Sequence, residues 1–137
     1  MAIAVTALWL GLVVTLALVA APTLFAMLDR VVAGRLAGQM FRIEAYTSLV
    51  AAVVLLLLER RRWRYQAGTP LSPEILLVAA ALFCTVLGYF GLQPMMDAAK
   101  AGLSTPWGFG VLHGVSTAFF ASKGFLLLAL LWRLAGR

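Results

Sequence analysis

Charged residues in this chain are confined to a few positions, and long uncharged runs separate them. The uncharged stretches cover residues 1–28, 45–58, 75–96 and 101–122. None alternates between apolar and polar positions as a half-buried strand would, and none shows the single apolar stripe of a soluble amphipathic helix. A helix needs about 20 apolar residues to cross the hydrocarbon core of a bilayer. The pattern therefore predicts an all-α, polytopic membrane protein, a bundle of four transmembrane helices with short interfacial helices between them. The length of 137 residues suits one such unit, spanning 1–137.

The expected elements follow from the punctuation. A first helix is predicted over about Ile3 to Met27, with Pro22 removing a backbone donor near its far end. Asp29 to Gln39 reads as a short amphipathic piece, with Val31, Val32, Leu36 and Met40 toward lipid and Arg30 and Arg35 toward headgroups. The second helix is short of apolar residues, because only residues 45–58 lie between Glu44 and Glu59. A full span ending near Leu58 has to begin near Gln39, which draws Arg42 and Glu44 into the membrane boundary or just below it. Arg60 to Ser72 reads as the main loop, punctuated by Gly68, Pro70 and Pro73. Ser72 before Pro73 is a cap-plus-proline start for a third helix ending near Gln93. Met95 to Ser104 is a second interfacial stretch. Thr105-Pro106 repeats the start signal for a fourth helix running to Arg133, with Trp107 and Trp132 as interface anchors.

Composition agrees with this reading. The chain is 64% hydrophobic and 12% charged, against about 25% charged in soluble domains. A net charge of +6 would ordinarily raise nucleic acid as a partner. The arginines instead abut hydrophobic runs: Arg60, Arg61, Arg62 and Arg64 follow one, Arg133 and Arg137 another. Juxtamembrane arginines are topology signals and phospholipid contacts, so the expected partner is the bilayer, not nucleic acid. The other side carries Arg30, Arg35, Arg42 and Lys100. The positive-inside bias puts both termini in the cytoplasm and the chain in the inner (cytoplasmic) membrane. The first run lacks a basic n-region and exceeds a signal peptide's apolar segment, so it is read as a span.

Candidate chemistry lies inside the membrane. Lys123 sits ten residues before Arg133, roughly 15 Å deep at the helical rise. Ionisable residues at such depth cost a few kcal/mol on insertion scales and face a bundle interior or a wet cavity. His113, the only histidine, and Ser116 lie on the same side of that helix, Ser116 within about 20° of Lys123. Antiparallel packing is expected to bring Glu44, Thr47, Tyr89, Gln93 and Thr23 to the level of His113, and Cys84, Thr85 and Thr15 nearer Lys123. His113, Ser116, Lys123, Glu44 and Tyr89 thus form a candidate intramembrane polar site, with His113 and Glu44 the expected pair. No acidic residue is expected at the depth of Lys123. The plain alternatives are a satisfied polar layer that sets helix register, and a lysine that snorkels to the cytoplasm.

Gly110, Gly114, Ala118 and Ser122 recur at four-residue intervals, a small-residue ridge that lets helix backbones approach. It is expected to pack inside the bundle or to form a homo-oligomer or membrane-complex interface. Met27, Met40, Met95, Met96, Cys84 and His113 are ligand types for Cu(I), but no spacing motif joins them. A single histidine cannot supply a bis-histidine haem within one chain. Cofactor and metal are therefore open. Cys84, the one cysteine, reads as a small buried side chain. No phosphate loop, Cys-x-x-Cys or nucleophile elbow supports an enzyme.

Several short motifs carry a resemblance. Trp9-Leu-Gly11, Ala21-Pro22-Thr-Leu-Phe25, Ala33-Gly34-Arg-Leu-Ala-Gly38-Gln-Met-Phe41 and Leu112-His113-Gly114-Val-Ser116 resemble the transmembrane protein 205-like family (domain of unknown function 4149), a four-span membrane domain. The resemblance is strongest from Trp9 to Phe41. It implies the fold and a membrane location and no established chemistry. The family's polar amide four residues after the serine is Phe120 here, so no polar role carries over to that position. The functional expectation is a non-enzymatic binding or assembly component. The alternatives are a small proton, ion or soft-metal carrier and a haem- or copper-dependent membrane oxidoreductase.

Overall fold

The computed structural model describes residues 1–65 and 72–136. Four helices in it are long and apolar enough to cross a membrane: α1 (Ala2–Met27), α2 (Arg30–Tyr65), α3 (Pro73–Lys100) and α4 (Phe109–Ala135). They run alternately up and down. α1 packs on α2 and α4, and α3 packs on the same two, so α2 and α4 lie diagonally across the bundle. The loop expected at Gly68 and Pro70, and Arg137, lie outside the described residues.

The segment 29–39 is not a separate interfacial piece. Asp29 accepts hydrogen bonds from the amides of Val31 and Val32 at 3.0 and 3.2 Å, which caps α2 and starts it at Arg30. The helix then continues without a break through Arg42, Glu44 and the arginines at 60–64. Those arginines extend a helix end rather than a loop. The consequence is a change of depth: Glu44 stands well inside the span rather than at its edge.

The start of α3 is as expected. Ser72 accepts from the Ile75 amide at 3.3 Å, with Pro73 at the first helical position. The start of α4 is not, since Thr105 turns its hydroxyl to the carbonyl of Trp107 and the helix begins only at Phe109, after Gly108.

Two helices widen near a proline. α1 is π-helical over Leu16–Ala20, just before Pro22, and α3 over Val86–Gly91, just before Pro94. Proline donates no backbone hydrogen bond and its ring crowds the carbonyl four residues back, and a π turn is one way a helix absorbs that defect. Residues Gln93–Lys100 form a short helical continuation, the expected interfacial stretch.

The two halves of the bundle differ. In the half that holds the N-terminus, a core cluster joins Trp9 and Val13 of α1, Ala52 and Leu55 of α2, Val78 and Ala81 of α3, and Leu127, Leu130 and Leu134 of α4. Arg133 Nε is 2.9 Å from the buried carboxylate of Glu74 and ties α4 to the start of α3 there. In the opposite half the helices separate around a cavity.

Candidate functional site: an ion pair flooring an intramembrane cavity

At the boundary between the two halves, Lys123 of α4 meets Glu44 of α2. Nζ donates to both carboxylate oxygens at 2.8 Å. Both residues are buried, each about 2% exposed. The carboxylate is held further by Ser48, whose hydroxyl donates to Oε1 at 2.5 Å, and Ser48 in turn accepts from the Trp9 indole N–H at 2.8 Å. The ammonium also lies 4.7 Å from the centre of the Phe120 ring. Three helices therefore share one chain of charge-assisted hydrogen bonds, from Trp9 through Ser48 and Glu44 to Lys123. Such groups resist the desolvation cost of a low-dielectric interior only when every member is matched, and here each is.

Periodicity explains the convergence. Glu44 and Ser48 are one turn apart on α2, and Phe41 lies on the same side, its ring set edge-on against Phe120 at 5.2 Å. Phe120 and Lys123 are likewise neighbours along α4. Two diagonal helices thus meet through two side-chain pairs at successive levels.

Above this floor lies a cavity of about 620 Å³. Its walls are mostly apolar and small: Ala17 and Ala21 from α1, Gly34, Ala37 and Gly38 from α2, Gly88 from α3. Glu44, Cys84, Thr85 and Lys123 are at its deep end, and Arg30, Lys100 and Phe109 at its mouth. Arg30 and Phe109 are the first residues of their helices. From there to Glu44 or Lys123 is a descent of roughly 20 Å along the helices.

Of the expected polar-site residues, all five line this cavity, but the pairing differs. His113 does not partner Glu44. It is exposed on the wall and stacks on Phe109 at 5.7 Å, with Lys100 5.3 Å over the other ring of that stack. It stands ten residues before Lys123, about 15 Å along the axis, too far for a bridging water. Glu44 instead takes Lys123, which therefore neither snorkels nor lacks an acidic partner. The cause is the early start of α2, which lowers Glu44 to mid-membrane. Ser116 donates to the Gly88 carbonyl at 2.6 Å, satisfying an acceptor in the π-helical stretch. Tyr89 is half-buried, its ring edge-on to Phe90 at 5.1 Å. Cys84 and Thr85 line the same cavity as Lys123.

The small-residue ridge of α4 is not packed inside the bundle. Gly110, Gly114, Ala118 and Ser122 are exposed, and a Cβ at Gly110 or Gly114 would meet nothing within 4 Å. The close backbone approach is at Gly88, where a Cβ would stand 2.5 Å from that of Phe119. Trp9 and Ser48 had no expected place in the site, where they hold Glu44. Their helical spacing from Val13 and Glu44 was the available signal. Among the described residues no three His, Cys, Asp or Glu side chains converge as metal ligands.

No curated protein and no solved structure matches the chain. A family model does, over residues 4–105, from the first turns of α1 to the turn before α4, including Trp9, Glu44 and Ser48. On that match, which covers most of its length, the chain belongs to the family described as a domain of unknown function, DUF4149.

Proposed function

We propose that this protein is a non-enzymatic binding component of the cytoplasmic membrane that holds an apolar or amphiphilic molecule between its helices. The observation that carries this reading is the 620 Å³ cavity in one half of a bundle whose other half is tightly packed. Ligand sites are concave, mainly apolar and lined by a few placed polar groups, and they range over about 300–1,000 Å³. This cavity has those properties, with charged groups at its floor and mouth and the side chains of Tyr89, His113, Ser116 and Thr117 between them. The likeness of Leu112-His113-Gly114-Val115-Ser116 to the transmembrane protein 205-like family extends the kinship to α4, and the arginine distribution supports cytoplasmic termini.

Native mass spectrometry of the protein released from membranes tests the reading. One lipid-sized adduct per chain is expected. Gly38→Phe, at a cavity-lining site where a Cβ meets nothing within 4 Å, should remove it while the fold persists. An adduct that survives in that variant would sink the proposal.

A carrier reading draws support from one feature, the ionisable pair at the cavity floor. It requires the packed half around Leu55, Leu127 and Leu130 to open, because those side chains are about 1% exposed or less. Proton flux into proteoliposomes that is abolished by Glu44→Gln would favour it over simple binding.

A further inference from the structure

The charges around the cavity are unbalanced. Its lining includes three basic side chains, Arg30, Lys100 and Lys123, and one carboxylate, Glu44. Glu44 and Lys123 neutralise each other at the floor. Arg30 and Lys100, at the mouth, form no ion pair among the described residues. The nearest acids in sequence are already engaged, Asp29 by the Val31 and Val32 amides and Asp97 by the Gln93 amide group. Lys100 is positioned over the Phe109 ring. Below the two cations the cavity descends for roughly 20 Å, the reach of fourteen helical residues, with Gly34, Ala37 and Gly38 along α2 and His113, Ser116 and Thr117 along α4.

Resting on the binding reading above, we infer that the occupant is a single-chain amphiphile with an anionic headgroup, a carboxylate or a phosphate, held between Arg30 and Lys100. Its apolar chain descends along Gly34, Ala37 and Gly38 toward the ion pair. One extended chain is the occupant matched to a cavity of about 620 Å³ that deepens along two helices. A neutral lipid would leave the two cations unmatched, whereas an anionic headgroup gains charge-assisted hydrogen bonds from both.

The test uses the full chain in nanodiscs of phosphatidylcholine, with hexadecanoate, hexadecyl phosphate and hexadecanol as probes. Both anions should bind at one per chain, at least about tenfold tighter than the alcohol, roughly one unit of log Kd. Arg30→Gln combined with Lys100→Gln should bring the anions to the level of hexadecanol and leave hexadecanol unchanged. Preference for hexadecanoate over hexadecyl phosphate, or the reverse, identifies which headgroup is native. Equal affinity for anion and alcohol in the unaltered protein overturns the headgroup inference and leaves the cavity reading standing. Failure of all three probes, or undiminished binding in Gly38→Phe, overturns both. The comparison of probes on the unaltered protein decides the matter even if the double variant does not fold.

Discussion

Glu44 and Lys123 each stand fourteen residues after the first residue of their helix, Arg30 and Phe109, and their side chains meet at 2.8 Å across the diagonal of the bundle. Because the two helices are parallel and start at the same end of the cavity, equal distances along them bring the two charges to one depth. That depth is near the middle of the span, where an unpaired charge is most costly.

Breaking this pair from one side should be expensive. Glu44→Ala leaves a buried ammonium with only the Ser48 hydroxyl, at 3.5 Å, and a ring face. A loss of about 3–5 kcal/mol is expected, with most of it recovered when Lys123→Met is added. Unfolding in mixed micelles measures both. A double variant as unstable as the single one would mean that the charge was not the cause.

The coupling should be specific. A double-mutant cycle on Glu44 and Lys123 should show an interaction energy above about 1 kcal/mol, whereas Glu44 and His113, some ten helical rises apart, should be additive within about 0.5 kcal/mol. Strong coupling to His113 would contradict the geometry.

Glycine substitutions should separate the packed helix face from the open one. Gly88→Ala places a Cβ 2.5 Å from the Cβ of Phe119 and should cost about 1–3 kcal/mol by overpacking. At exposed Gly114 a Cβ meets nothing within 4 Å, and Gly114→Leu should leave the stability of an isolated chain unchanged. If the exposed ridge of Gly110, Gly114, Ala118 and Ser122 joins two copies, the same leucine will reduce the size seen by column chromatography with light scattering.

Thr6 offers a stabilising change. Its hydroxyl is fully buried and has no partner among the described residues. Thr6→Val keeps the shape and removes the unmatched group, so a gain of about 1 kcal/mol is expected. A lower melting temperature would show that the hydroxyl is satisfied in the membrane.

Topology can be read with a single cysteine. In a Cys84→Ala background, Arg61→Cys should resist an impermeant maleimide in intact cells and react after permeabilisation. Labelling of intact cells would reverse the proposed orientation.

The uncharged runs by themselves determined the all-helical class and the four spans, and the Ser72-Pro73 cap signal determined the start of α3. These are local properties, since a run of apolar side chains has to be covered by lipid or by another helix wherever it lies. Asp29 caps α2, and a start at Arg30 instead of near Gln39 puts Glu44 about two and a half turns further along its helix. The partner of Glu44 then followed from the relative height of two helices far apart in sequence, which no spacing within either helix encodes. The same holds for the ridge of α4 and for Gly88. Both are small residues on helices, and only the rotation of each helix about its axis decided that one meets Phe119 while the other faces outward. Charge sign and hydropathy specify that a lysine in a membrane needs a counterpart, but the choice among candidate partners is made by packing, through helix length, tilt and rotation acting together.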